Sequence, residues 1–484
     1  MKIQIKTVSQ IFPDQSVICI VGKDEIPPYI ILNRSEKEFV LKKLGENDEY
    51  VFVNSYYKCT YFVRANKELP YFMMLEDLRK RASSMKQLIR SNSHSEIVIV
   101  SEGLSDDVTE AFAEGFILSI YSFRKYKTKE EEKDKGKYPN KILLYNIRDK
   151  EKILWLNALC EAVYLVRDLI NEPPNYLNAP ALAREIKKMG NAAGFKVEVL
   201  NKGKIEALKM GGILAVNRGS VDPPVFCILE WEPEEKVNNR PVVLVGKGVI
   251  YDTGGLNIKT DEHMAQMKAD MAGAATVAGV MYVLAKCNVP LHVIGLVPAT
   301  DNRPGGNAYT QGDIITMFNG TTVEIGNTDA EGRLLLADAI SYAGKYKPEL
   351  IINIATLTGS AAMTFGNKAI AVMGNAEERY FNLLEESGNH VYERVARLPF
   401  WDDYRELLKS DIADLKNVGG REAGAITAGK FLESFADYPL IHLDIAGTGI
   451  LKKDDHYRIK EGPGSGLRLL AVFLKKLAIE TGKR

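Results

Sequence analysis

Cysteine and histidine are scarce in this chain, five and six among 484 residues. Cys19, Cys59, Cys160, Cys227 and Cys287 form no CxxC pair and no zinc-finger spacing. That excludes a disulfide scaffold and points to a reducing compartment. No HExxH occurs, so a zinc protease built on paired histidines is excluded as well. Neither sign of charge dominates: Lys plus Arg and Asp plus Glu both number 63, which leaves no global attraction to nucleic acid or to an anionic membrane. No apolar run approaches the length needed to cross a bilayer, and the opening MKIQIKTVSQ lacks the apolar stretch of a secretory signal. A cytoplasmic location without membrane attachment is the expectation.

Three familiar nucleotide and nucleophile motifs are also missing. GKGVIY (246–251) begins as Gly-x-Gly but lacks the third glycine and runs into DTGG instead of a helix. No Gly-Lys-Ser/Thr phosphate loop occurs. GPGSGLRLL, near the end of the chain, approaches the Gly-x-Ser-x-Gly elbow of serine hydrolases but reads as a glycine-rich turn before a helix.

What is present is the balance of a soluble globular protein, 46% hydrophobic and 26% charged. The length suggests about two or three domains. Up to residue 147, runs rich in β-branched and aromatic residues (SVICIVG, YVFVNSYYKCTYFV, EIVIVSE, KILLYNI) alternate with helical patterns such as DVTEAFAEGFILSIYSF (107–123). The mixed-charge stretch 124–140 reads as a solvated loop. An amphipathic pattern over 151–170 then ends at NEPP, where Pro173 and Pro174 cannot continue a helix. These features predict an N-terminal α/β domain (1–147), a connecting helix (148–170) and a larger domain (171–484). In the last, helices alternate with PVVLVGKGVIYD, VPLHVIGLVPA, LIINIATLTG and PLIHLDIAGT, continuous apolar strands of a central sheet covered on both faces.

Polar residues gather at the ends of those strands. The decapeptide NTDAEGRLLL (327–336) places Asp329, Glu331 and Arg333 at two-residue spacing between the apparent strand TTVEI and an apolar helical pattern. Taken alone, the segment reads most simply as a solvated loop and helix start. Lys247, Asp252 and Lys259 in VGKGVIYDTGGLNIK, and Asp270 in MKADMAGAA, change that reading. Four carboxylates converging in a dry cleft cannot all stay ionised unaided, and bound divalent cations relieve the repulsion. Oxygen ligands suit Mg²⁺, Mn²⁺ or, with bridging carboxylates, paired Zn²⁺, and a lysine amine can join once its proton is displaced.

These segments resemble the signatures of the leucyl (cytosol) aminopeptidase family of dinuclear metalloexopeptidases. The resemblance extends, in family order over roughly residues 160–484, to MGGILAVNRGS, ATLTGSA, SDIADLKNVGGREAGAITAGKFL and HLDIAGTG. It implies a macro-like N-terminal α/β domain and a catalytic domain with a central mixed sheet flanked by helices. It further implies two divalent ions, Zn²⁺ and/or Mn²⁺, bridged by Asp252, Glu331 and a water or hydroxide. Lys247 and Asp270 would complete one metal and Asp329 the other, through its carboxylate and main-chain carbonyl. Lys259 would polarise the scissile carbonyl, and Arg333 would hold a bicarbonate ion acting as general base. Met267, Asn327, Thr356, Leu357, Gly359 and Ala446 match positions around the first-residue pocket, with Leu or Met preferred.

The resemblance also implies short peptide substrates and a homohexamer enclosing its active sites. Two departures stand out: Ala272 replaces a common glycine, and residues 450–466 replace a shorter loop. A dinuclear phosphoesterase would use the same metals, but these motifs offer no additional arginine clamp. A DNA-binding role, known for some members, is not favoured by the balanced charge.

Overall fold

The computed structural model describes residues 3–22, 26–46, 48–129 and 137–483. The centre of the charged stretch read as a loop, residues 130–136, lies outside them, as does the start of the N-terminal segment, residues 1 and 2. Among the described residues no helix is long and apolar enough to cross a membrane. The chain divides into two compact units, residues 1–164 with 454–459, and residues 165–453 with 460–484. The long helix Lys150–Asn171 runs through the division.

The first unit is built on a six-stranded sheet in the order Gln4–Val8, Lys141–Tyr145, Glu96–Glu102, Val17–Val21, Cys59–Arg64, Tyr50–Asn54. All neighbours are parallel except the last pair. The run YVFVNSYYKCTYFV, continuous in its apolar character, folds back on itself at Ser55–Lys58, where Ser55 N–H donates to the Lys58 carbonyl and Tyr56 takes a positive φ of 62°. Residues 454–459 belong to this unit through Tyr457 and Arg458, which donate to the two oxygens of Glu76 at 2.7 and 3.0 Å. Six residues of the loop that departs from the family pattern thus belong to this unit.

The second unit holds the expected mixed sheet flanked by helices. Its order is Val395–Arg397, Ile370–Gly374, Leu440–Asp444, Leu350–Ala355, Val242–Gly246, Val293–Asn302, Val225–Trp231, Lys196–Leu200, with Gly248–Asp252 pairing beside Val293–Asn302. The central strands Leu440–Asp444, Leu350–Ala355, Val242–Gly246 and Val293–Asn302 are mutually parallel, so their carboxyl ends open on one edge. They are almost continuously apolar because the sheet is covered on both faces, by helices such as Ala272–Lys286, Gly332–Ala343 and Leu467–Gly482.

Two strand readings differ in detail. PVVLVGKGVIYD is two strands broken at Lys247, whose N–H goes to the Ile354 carbonyl and whose carbonyl receives Ala274 N–H. TTVEI contributes only Thr322–Glu324, and to a separate three-stranded sheet with Ile314–Thr316 and Leu415–Lys416. A run of five residues with one buried side chain on its strand positions, Val323, does not reveal which sheet it joins.

Asp338, fully buried on the helix Gly332–Ala343, fixes that helix against the preceding layer. Its carboxylate accepts Ile213 N–H at 3.0 Å and Phe318 N–H at 2.9 Å, so the helix Gly211–Asn217 and the turn after Ile314–Thr316 meet on one side chain. Burial pushes its pKa up to about 7 against the pull of those donors. Because the folded-state value lies above the unfolded one, the carboxyl contributes most below pH 4 and its contribution is lost as pH rises towards 7. The unfolding free energy of the wild-type protein, measured relative to Asp338→Asn, should therefore fall over that window by at most about 1.4 kcal/mol per pH unit. A difference that grows with pH would contradict this account. Asp338→Ala should be worse at every pH, since each stranded N–H costs about 1–3 kcal/mol.

Candidate active site

The site lies where the parallel strands end, the usual place for ligands in open α/β sheets. Lys247 follows Val242–Gly246, Asp252 closes Gly248–Asp252, and Thr356 follows Leu350–Ala355. Asp270 comes from the turn before the helix Ala272–Lys286, and Glu331 caps the helix Gly332–Ala343.

Lys247 is buried, and its Nζ lies 2.9 and 2.8 Å from the two oxygens of Asp270, 3.0 Å from Glu331 Oε1 and 3.0 Å from the Thr356 carbonyl. Lys259 Nζ lies 2.9 Å from Asp252 Oδ2 and 2.5 Å from Asp329 Oδ1. Asp252, Asp329 and Glu331 each offer an oxygen within 4.8 Å of the others. All four acids and both lysines singled out in the sequence therefore surround one point. Gly332 makes room for this: a Cβ there would stand 2.3 Å from Lys247 Cε and 2.8 Å from its Nζ. Gly254, at φ 86°, serves the turn between Asp252 and Lys259, where a Cβ would meet the Asn257 carbonyl at 2.3 Å.

Charge in the cluster is incompletely balanced. Burial, reinforced by the neighbouring Asp252, pushes Glu331 up to about 8, and burial opposed by Lys247 still leaves Asp270 at about 6. Asp329 is raised for the same two reasons as Glu331. For Lys247, burial works to lower the pKa, but Asp270, Glu331 and Asp252 together outweigh it and hold the amine above its ordinary value. Asp270 Oδ2, Asp329 Oδ1 and both Glu331 oxygens are buried without a hydrogen bond, although the lysines approach three of them as ion pairs. Asp252, Asp329 and Glu331 bring hard oxygen donors within one cation's reach, the donor set of a divalent ion, and Asp270 adds another across Lys247. The residues fit such an ion.

Arg333 stands slightly apart, one residue into the helix. Its NH1 donates to the Asn417 carbonyl at 2.6 Å, and its buried Nε has no acceptor. Burial lowers its pKa to about 10, opposed by Glu331 and Asp444. A buried guanidinium with an open N–H suits a small anion.

The six pocket candidates lie on four segments. Met267 is half-buried in the turn leading to Asp270, and Asn327 accepts Asp329 N–H at 2.8 Å. Thr356 donates to Asp270 Oδ1 at 2.8 Å. Leu357 and Ala446 are joined through Asp444, while Gly359 is exposed with open space where a Cβ would sit.

Three residues that carry the site's geometry were not singled out by sequence. Asn302, fully buried, donates to Asp252 Oδ1 at 2.8 Å and to the Thr328 carbonyl at 3.0 Å. Asn417, also fully buried, accepts Gly326 N–H at 2.7 Å and donates to the Asn327 carbonyl at 2.7 Å, so it shapes the acidic loop. Thr328 ties that loop to the glycine turn, its hydroxyl donating to the Gly254 carbonyl at 2.6 Å. Thr328 and Asn417 lie in segments carrying a family signature, but neither they nor Asn302 bear a charge or recur with a period that would set them apart from their neighbours.

Comparison with known proteins follows the same line. The family model described as "Cytosol aminopeptidase family, catalytic domain" matches residues 164–471. A probable cytosol aminopeptidase of Chlorobium limicola is 43% identical over 384 residues, covering 76% of this chain and 75% of that protein. One from Geobacter sp. (strain M21) is 39% identical over 409 residues, covering 83% and 82%. Among solved structures, the bottromycin maturation enzyme BotP in complex with Mn superposes with a TM-score of 0.83 at 27% identity, covering 96% of this chain and all of that one. The buried acids and lysines at the strand ends thus belong to a chain of the cytosol aminopeptidase family, metal-dependent peptidases that act at peptide N-termini.

Proposed function

We propose that this protein removes the first residue from short peptides, with Leu, Met or similar neutral residues preferred, using two divalent ions held by Lys247, Asp252, Asp270, Asp329 and Glu331. The observation that carries the reading is the set of buried carboxylate oxygens without hydrogen bonds around Lys247 and Lys259. Mn²⁺ is supported by the structural likeness to an enzyme solved with Mn, and Zn²⁺ suits the same donors. When bound, the ions would supply an anchor for the free N-terminal amine, a polarised carbonyl and an activated water, the roles paired ions play in aminopeptidases as a class.

The chain's own groups do the rest. Asp252 and Glu331 would help hold the ions, and Asn302 holds Asp252 in orientation. Lys259, with Asp252 and Asp329 engaged elsewhere, donates an N–H to the scissile carbonyl oxygen and stabilises the oxyanion as it forms. Arg333 would hold a bicarbonate ion, which supplies the base. Leu357, Gly359 and Ala446 border an apolar first-residue pocket, helped by Met267, Asn327 and Thr356. A cytoplasmic location fits the free cysteines and the absence of a spanning helix among the described residues. A homohexamer is the assembly expected for the family.

The direct test compares leucine anilide with its N-acetyl derivative alongside metal analysis of the purified protein. Hydrolysis should require the free amine and two bound ions, and equal rates on both substrates would sink the exopeptidase reading. Roles within the site separate by substitution. Asp270→Ala and Glu331→Ala should lose metal and activity together, whereas Arg333→Ala should keep its metal and slow by about 10²–10⁴-fold as help with proton transfer is lost. Metal lost in Arg333→Ala but retained in Glu331→Ala would reverse the assignment.

Lys247→Arg discriminates a ligand from a counter-charge. Ligation requires a neutral amine, and guanidinium does not give up its proton in the accessible range. Lys247→Arg should therefore bind fewer than two ions by mass spectrometry. Two ions with unchanged affinity would make Lys247 a counter-charge only.

A further inference from the structure

Asp444, almost wholly buried, ends the strand Leu440–Asp444 and sits in register with Ala355, the end of the neighbouring parallel strand. Both strands give way to loops directly beyond. Asp444 Oδ1 accepts Leu357 N–H at 3.1 Å from one loop and Ala446 N–H at 3.1 Å from the other. Oδ2 accepts the Thr358 hydroxyl at 2.6 Å, and Thr358 Oγ1 in turn accepts Ala361 N–H, capping the helix Gly359–Phe365. No cation among the described residues lies within ion-pair distance of this carboxylate. Burial raises its pKa, so the fold keeps an acid where one is disfavoured.

A buried carboxylate that receives only neutral donors from two loops works as a joint between them. The loops it joins carry Thr356, Leu357, Gly359 and Ala446. Thr356 extends the connection inward, its carbonyl receiving Lys247 and its hydroxyl reaching Asp270. The spacing between Leu357 and Ala446 is thus held by one side chain that lies outside the pocket, beyond the last backbone bond between the strands, from Ile445 N–H to the Ala355 carbonyl. An apolar pocket resolves a single methylene by about 10–200-fold, and only while its walls keep their distance.

We propose that Asp444 is a positioning residue for first-residue specificity: it locks the two loops bordering the pocket at a fixed separation. The inference rests on the aminopeptidase reading above. Asp444→Asn keeps an acceptor for Leu357 and Ala446 but turns an amide donor towards Thr358. The preference for leucine anilide over glycine anilide, as kcat/KM, should fall about tenfold or more, mostly through a higher KM for the leucine substrate. Mass spectrometry should still count the wild-type complement of ions. Thr358→Val should shift the preference in the same direction, and Thr358→Ser, which keeps the hydroxyl, should restore it. If Asp444→Asn does not fold, the Thr358 pair decides the matter. An unchanged preference in Asp444→Asn or Thr358→Val, or an equal loss on both substrates through kcat, overturns the proposal. Wild-type protein inert on both free-amine anilides overturns the aminopeptidase reading itself, which the variants cannot do.

Discussion

Four carboxylates and two ammonium groups gathered at the strand ends, four of the six buried and Asp329 and Lys259 partly open to water, set the terms for everything around them. Removing ions from water costs several kcal/mol each, and attraction between them offsets this only when geometry and further hydrogen bonds are good. Here the balance is incomplete, because the acids outnumber the lysines and Glu331 and Asp270 are pushed up towards neutrality. The surrounding fold must hold this cluster together against its own repulsion. A bound metal ion would relieve that repulsion.

The scaffold meets that demand with neutral polar groups. Asn302, Asn417, Thr328 and Thr356 each bond to a backbone carbonyl or to an acid of the cluster, so the loops are fixed without adding charge. Asp338 and Asp444 do comparable work further out, each collecting backbone donors from two segments. Such networks specify one arrangement strongly, since breaking a member's bonds in a dry interior is expensive, and the oxygens left unpaired are concentrated at the acids and at Asn302 beside them.

Much of this could be read from the sequence, for particular reasons. Asp329, Glu331 and Arg333 stood out because charge at two-residue spacing beside an apolar helix needs an explanation, and Lys247, Asp252 and Asp270 because they interrupt apolar runs. The central strands were legible because strands covered on both faces are nearly all apolar. Lys247 as a strand break was not, since one lysine between two valine-rich stretches looks like a polar position within a single strand. Thr322–Glu324 could not be assigned to its small sheet, because pairing partners far along the chain leave no local trace. Asn302 and Asn417 were invisible for a related reason: a solitary amide has no period, and its importance lies wholly in what the fold brings to it.

The order of strands in the central sheet has a consequence for synthesis. Val242–Gly246, which leads into Lys247, pairs with Leu350–Ala355, and that strand pairs with Leu440–Asp444. The Lys247 amide itself is held by the Ile354 carbonyl, more than a hundred residues downstream. Contacts this far apart form late, because the intervening chain must first be closed into a loop. Every group singled out for chemistry has been translated by residue 333, yet the sheet that aligns them needs residues beyond 440. A growing chain on the ribosome therefore carries the acids and lysines without the site, and a free peptide N-terminus nearby, its own included, is safe until the last strands have emerged and docked.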